Sequence, residues 1–257
     1  MIAAAASGLG LVLVIAVATW AVSLAKRDAS IVDGVWSLMI FGAGLAYAGA
    51  VMSPGPRAAW VLALAGLWAA RLSIYIIWRN AGEPEDRRYR AIRSRNEPGF
   101  ALKSLYLVFL LQAVLAWIVS APLAAAIAAP TPEGWLDAVG AAVVLFGIAF
   151  ESIADWQVAR WRARRPAPGT VLDSGLWRYS RHPNYFGEFC VWWGFGLVAV
   201  SAGAWWALVS PLLMTLLLLR VSGVALLEKD LSARKPAYRD YMQRTSAFFP
   251  GPRRSAP

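Results

Sequence analysis

Seven long apolar stretches dominate this chain, at approximately 7–25, 31–52, 58–78, 104–128, 136–158, 184–202 and 204–226. Crossing the ~30 Å hydrocarbon core of a bilayer takes roughly 20 apolar residues in a helix. Within lipid every backbone amide needs a partner inside the protein, which leaves only helices and closed barrels. The stretches are too long and too evenly apolar for the alternation of a barrel strand. They predict an all-α integral membrane protein with seven transmembrane helices. No internal repeat or low-complexity segment interrupts them, so residues 1–257 read as a single membrane domain, whose C-terminal half, 150–250, carries the most distinctive motif.

A net charge of +10 raises the question of nucleic acid, but the distribution of the charge answers it. With the N-terminus outside, Lys26, Arg27, the loops 79–103 and 159–183 and the tail 227–257 share one side, while the opposite loops hold only Arg57. That asymmetry is the positive-inside pattern. It predicts an integral membrane protein with its basic loops and C-terminus in the cytoplasm. Membrane lipid is the expected partner, with Arg253 and Arg254 at anionic headgroups, and no nucleic acid. The first apolar run has no charged segment before it and a positive pair after it, so it reads as a retained helix and not a signal peptide. Gly8 and Gly10 on it would permit close helix packing. Cys190 and His182 are each the only residue of their type. No internal disulfide is possible, and a metal site is not expected.

The polar residues within the apolar stretches are few. Asp33 lies near the start of the second helix beside Gly34 and Trp36. It is either an acid favoured by the helix dipole or a carboxyl group turned into a cavity, the usual orientation of intramembrane ionisable groups. On the third helix Arg71, Tyr75 and Arg79 recur every four residues and form one stripe, followed by Asn80. The segment 80–103 reads as a solvated charged loop with a short helix at about 86–95. Gln112 suits an interhelical hydrogen bond. The fifth helix ends in Glu151, Asp155 and Gln157 before Arg160, Arg162, Arg164 and Arg165. Two carboxylates four residues apart repel unless another group shares their site.

The richest stretch runs from Gly175 to Gly194. It contains Arg181, His182, Asn184 and Glu188, the last two on one helical face. His182 before Pro183 at a helix entry suits a loop-fixing bond as well as a cofactor contact. Arg220 and Glu228 follow near the end of the last helix, and the tail 229–249 reads as a short amphipathic helix lying on the membrane surface. Nearly all these groups fall in the cytoplasmic halves of their helices. They predict one cytoplasm-facing cofactor cavity, with arginines for phosphates and acids and asparagine for hydroxyl and amide groups. No glycine-rich phosphate loop of the Rossmann or Walker type is present, so side chains between helices would hold the nucleotide.

Asp155-Trp-Gln, the run from Val171 to Glu188 with its Arg-His-Pro-Asn-Tyr-Phe-Gly-Glu core, Leu219-Arg-Val-Ser-Gly and Leu227-Glu-Lys together resemble the steroid 5α-reductase family in its bacterial branch. The resemblance implies seven helices, NADPH, and reduction of the Δ4 double bond of a 3-oxo steroid that enters from the bilayer. By position it implies cofactor contacts at Asp155, Arg162, Asn184, Glu188, Arg220 and Glu228. Arg71 and Tyr75 match the polar stripe of the third helix; Arg79, Asn80, Glu151, Arg181 and His182 extend the expected cofactor set. Asp33 falls where the family places the acid near the ketone, and Trp68 stands where the accompanying tyrosine would be. Asp33 and Tyr75 are thus the expected catalytic groups, with Trp36 and Trp193 beside Asp33 against the flat substrate. An acid in an apolar cavity can stay protonated and donate to a ketone oxygen, as a neutral aspartic acid does in ketosteroid isomerase.

Isoprenylcysteine and phospholipid methyltransferases share Arg-His-Pro-x-Tyr-x-Gly, and in them the pocket would hold S-adenosylmethionine. Asn184, Glu188 and the additional arginines Arg162 and Arg220 favour the reductase pattern. A non-catalytic transport protein is the third reading, and the internal symmetry typical of transporters is missing from the sequence.

Overall fold

The computed structural model describes residues 2–167, 169–221, 224, 228 and 236–254. Helix makes up 78% of it, with no strand among the described residues. The helices are α1 (Ile2–Lys26), α2 (Ile31–Ala50), α3 (Ala58–Asn80), α4 (Arg87–Asn96) and a run from Phe100 to Ala128, composed of α5 (Phe100–Ser104), a π-helical segment (Leu105–Leu110), α6 (Leu111–Val119) and α7 (Ala121–Ala128). Then come α8 (Trp135–Ala163), α9 (Pro183–Ser201), α10 (Val209–Leu216) and α11 (Pro236–Arg244).

Five of these are long and apolar enough to cross a membrane: α1, α2, α3, the Phe100–Ala128 run and α8. The protein is therefore read as an integral membrane protein. The other two expected spans coincide with α9 and the apolar helix Trp205–Val221, which fall outside the five. Asn184 and Glu188 lower the apolarity of α9, and Trp205–Val221 is short among the described residues. Ser222, Gly223, Leu227 and Lys229 of the sequence motifs lie outside the described residues.

The chain forms two compact units. The first, Met1–Gly134 with Val198–Ser210, is organised by α2, which packs against α1, α3, α6 and α7. Small residues and buried hydroxyls bring these helices close, as expected where lipid competes with every apolar contact. Ser37 donates to the Ala69 carbonyl at 3.0 Å and Ser73 to that of Gly34 at 2.6 Å, and Tyr47 meets Ser120 at 2.6 Å. At one end Arg57, fully buried, donates to the carbonyls of Thr131 and Pro132 and pins the turn after α7.

In the second unit, Trp135–Leu197 with Pro211–Pro257, α8 and α9 approach until their backbones touch. A Cβ on Gly187 would stand 2.6 Å from that of Glu151 and 2.8 Å from the Gly147 carbonyl; one on Gly194 would stand 2.8 Å from the Gly140 carbonyl. Glycines seven apart on both helices make this seam.

Of the two glycines on α1, Gly8 is closely packed, since a Cβ there would lie 2.1 Å from the Tyr47 ring, whereas one on Gly10 meets nothing within 4 Å. The expectation of close packing thus holds at Gly8 and is corrected at Gly10, which faces away from α2. Gly8→Leu is expected to lower unfolding stability in detergent by about 1–3 kcal/mol through overpacking, and Gly10→Leu to stay within about 0.5 kcal/mol of the parent. Equal losses for the two variants would contradict this packing.

Candidate functional site

Two polar clusters stand out, one in each unit. In the first, Asp33 on the opening turn of α2 is reached from α4. Arg88 Nη2 donates to Asp33 Oδ2 at 2.7 Å and the Tyr89 hydroxyl to Oδ1 at 2.5 Å. Gln112 Nε2 on α6 donates to the same hydroxyl at 2.9 Å, the interhelical bond expected of it. The phenol thus accepts from Gln112 and has its single proton aimed at Asp33. Burial, with the Asp33 charge beside it, pushes Tyr89 well above the usual tyrosine range, so it stays a neutral donor.

This arrangement corrects two expectations. Asp33 was expected to donate, but both of its oxygens accept, and the O–H donor here is Tyr89. The segment 80–103 was expected to be a solvated charged loop with a short helix at about 86–95; the helix is α4, capped by Asp86, which accepts from the Arg88 amide at 2.9 Å, but Tyr89 on it is buried and not solvated. Glu85 fastens the same helix, accepting from the Ala29 amide at 2.8 Å and from Arg93 at 2.7 Å. Trp68, fully buried, fills the place where a tyrosine was sought.

Arg71 and Arg79 flank the Tyr75 ring at 5.7 and 5.8 Å from its centroid, so the expected stripe exists as a stacked cation–π row. Arg79 donates to Asn80 Oδ1 at 3.1 Å. Trp36 donates to the Gln112 carbonyl at 3.3 Å, which places it next to the phenol cluster.

In the second unit the glycine seam sets the register of the motif. It brings Asn184 Nδ2 to Asp155 Oδ1 at 3.2 Å and packs Glu151 against Gly187. Glu151, Asp155 and Glu188 are all buried, and Glu188 accepts from Trp192 at 3.0 Å. Trp193 donates to Thr215 at 3.1 Å. Arg162, two turns beyond Asp155, and Arg220, in a π turn (Leu217–Val221), are exposed. Gln157 fills the space under Gly175, whose φ of +60° favours glycine, and accepts from the Leu176 amide at 3.0 Å.

Arg181, His182 and Glu228 form an internal clamp. Arg181 Nε donates to Glu228 at 2.6 Å, and its Nη1 donates to the carbonyls of Met242 and Thr245. His182 Nε2 lies 3.4 Å from Glu228, and its ring stacks on Tyr185. The loop-fixing role proposed for His182 therefore has a geometry here. α11 and the residues after it continue the clamp: Tyr241 on α11 donates to the Trp177 carbonyl, and beyond the helix Ser180 donates to the Phe248 carbonyl, the Arg181 amide to Ser246 and the Gly251 amide to Tyr179. α11 falls within the predicted amphipathic tail.

Sequence reasoning found the acids, Asn184 and the arginines but missed Arg88 and Tyr89. The signal available was a tyrosine among arginines, the only aromatic ring in 80–95. Among the described residues no group of three or more His, Cys, Asp or Glu residues could hold a metal ion.

The helices and these two polar clusters define a membrane protein with polar groups held between its helices. Residues 19–245 match the family described as protein of unknown function (DUF1295), and the chain belongs to that family. The family is distantly related to steroid 5α-reductase-like proteins. The chain is also 25% identical over 268 residues to an uncharacterized protein of Schizosaccharomyces pombe, across 90% of this chain and 75% of the relative. No solved structure matches the chain.

Burial works to raise the Glu228 carboxyl, but the bonds and charges of His182 and Arg181 outweigh it and hold the group below its ordinary value of 4.5. Glu85 and Asp86 are likewise lowered, through Arg93 and Arg88 despite burial. A depressed folded-state value contributes stability above the ordinary value and loses it as pH falls through the folded one. Thermal stability in detergent should therefore drop as pH falls below about 4.5, with Glu228→Gln losing its share of that dependence. An unaltered acid limb in Glu228→Gln would contradict the clamp.

Proposed function

We propose that this protein is an NADPH-dependent reductase of a lipid-soluble enone, of the 3-oxo-Δ4 steroid type, acting by hydride transfer to C5 followed by uptake of a solvent proton at C4. The observation that carries this reading is the buried phenol of Tyr89, oriented by Gln112 and Asp33. It is a neutral hydrogen-bond donor of the kind an enone oxygen needs as charge builds on it, and a methyl transfer has no comparable use for one.

The second unit supports the cofactor half of the reading. Glu151, Asp155, Asn184 and Glu188 offer acceptors and an amide suited to ribose hydroxyls and a carboxamide, and exposed Arg162 and Arg220 suit phosphates. The residues present fit a dinucleotide in kind. When bound, NADPH supplies the hydride, chemistry that belongs to the cofactor. Arg181 and Glu228 support it indirectly, by holding the turn from which Asn184 starts.

For the protein's own part, Tyr89 turns its proton from Asp33 to the ketone oxygen while Gln112 continues to donate to the phenol. Arg88 keeps Asp33 an acceptor and so fixes the position to which the proton returns. Trp36 provides a flat apolar wall beside the phenol. In this reading α9 and Trp205–Val221 complete seven spans, the N-terminus lies outside, and the basic loops and C-terminus face the cytoplasm of a bacterial inner membrane.

Purified protein with NADPH and progesterone should consume the nicotinamide and yield a product heavier by two hydrogens. Stabilisation by S-adenosylmethionine with none by NADPH would sink the reading in favour of methyl transfer. Tyr89→Phe is expected to lower kcat by about 10²–10³, the usual cost of one oxyanion donor, with NADPH affinity retained. Asp33→Asn should also act mainly on turnover. Asn184→Ala and Arg220→Ala should instead weaken NADPH binding, and unchanged affinity in both would remove the cofactor assignment.

A further inference from the structure

Five of the ten residues of α4 are arginines, and the helix holds no acid. The arginines divide between two faces. Arg88 and Arg93 turn inward, the first to Asp33 and Asp86, the second to Glu85 and over the Phe100 ring at 4.5 Å. Arg87, Arg90 and Arg95 are exposed with Ala91 and Ser94 on the other face. The exposed acids nearest in sequence, Glu83 and Glu97, lie outside the helix at its two flanks.

Chain geometry fixes where this basic face lies. Residues 81–86 separate α4 from the end of α3, and residues 97–99 separate it from the Phe100–Ala128 run; both neighbours are long enough to cross a membrane. At ~3.3–3.6 Å per residue, three residues span at most about 10 Å, so α4 cannot leave the membrane surface. Lys103 shortens the tether further by donating to the carbonyls of Asn96 and Pro98. Arg93 also donates to the Arg27 carbonyl, which brings the exposed Lys26 and Arg27 at the end of α1 to the same side. A ten-residue polar helix does not hold itself together in water. Its inner face is secured by the bonds just described, and its outer face carries cations at headgroup height.

We propose that Arg87, Arg90 and Arg95, with Lys26 and Arg27, dock the phosphodiester headgroups of anionic phospholipids, and that this seating holds Arg88 and Tyr89 onto Asp33. The inference goes beyond the reductase reading and needs only that α3 and the Phe100–Ala128 run cross a bilayer. Each such cation gains from an anionic surface, and three on one short helix act together. The lipid composition then governs how firmly the phenol is presented, whatever reaction the phenol serves.

The test is amide exchange, read by mass spectrometry, of the full chain in nanodiscs of phosphatidylcholine alone and of phosphatidylcholine mixed equally with phosphatidylglycerol. Exchange over 87–96 should slow by about tenfold or more with the anionic lipid, and high salt should reverse the effect. The triple variant R87Q/R90Q/R95Q should lose the lipid dependence while exchange in α1–α3 stays as in the parent. Equal exchange of the parent in both lipids would overturn the proposal, as would a triple variant that keeps the difference. Inorganic phosphate added to phosphatidylcholine discs should leave 87–96 unchanged; if it gave the same protection, the site would be one for a free anion and the lipid assignment would fall. None of these readouts depends on NADPH or on turnover, so failure of the reductase reading leaves them standing.

Discussion

Helices apolar and long enough to cross a bilayer have no water along them to satisfy stray polar groups, and the architecture follows from that constraint. Serine and threonine hydroxyls in the helices bond back to carbonyls, as Thr19 does to Ile15 and Ser152 to Ile148. Charges retained inside are assigned partners: Asp33 has Arg88 and Tyr89, Asp155 has Asn184, and Arg57 has the carbonyls of Thr131 and Pro132. A buried charge stripped of its partner is far more costly than a pair is beneficial. Each of these residues is therefore fixed by its neighbours before any ligand is considered, which is the preorganisation a site needs.

The glycine seam shows how that fixing becomes geometry. Because α8 and α9 touch through Gly147 and Gly187, Asn184, one turn before Gly187, and Asp155, two turns after Gly147, face each other at bonding distance. A larger residue in the seam would separate Asn184 from Asp155 without altering either. The clamp of Arg181 and Glu228 acts at the other end of the same motif, holding the turn that leads into α9. Arginine suits this place because its fork can satisfy a carboxylate and two carbonyls at once.

Much of the helical layout was legible in the sequence because apolar length is a local property. The short helix expected at 86–95 is α4 at Arg87–Asn96, and the amphipathic tail contains α11. The acids and Asn184 were legible too, since a polar residue inside an apolar run is conspicuous. What could not be read was pairing across distance. Tyr89 and Asp33 are 56 residues apart, and nothing local in Arg-Arg-Tyr-Arg reveals that the ring turns inward while two neighbouring arginines turn out. Charge repeats in a short loop have the same composition whether they are solvated or bonded. Glycine packing shares the difficulty: Gly8 and Gly10 look alike in sequence, and only the position of Tyr47 separates them.

The bonds between the motif turn and the residues beyond α11 have a consequence for biosynthesis. Ser180 waits for a carbonyl 68 residues further on, and Arg181 for one 64 further on. At ~5–20 residues per second, translation takes several seconds to supply them. During that interval α8 and α9 can already bring their glycines into contact, while the turn between them remains unclosed. The second unit thus matures from its paired helices outward, and a chain halted before residue 240 would hold those helices packed but the turn not yet locked.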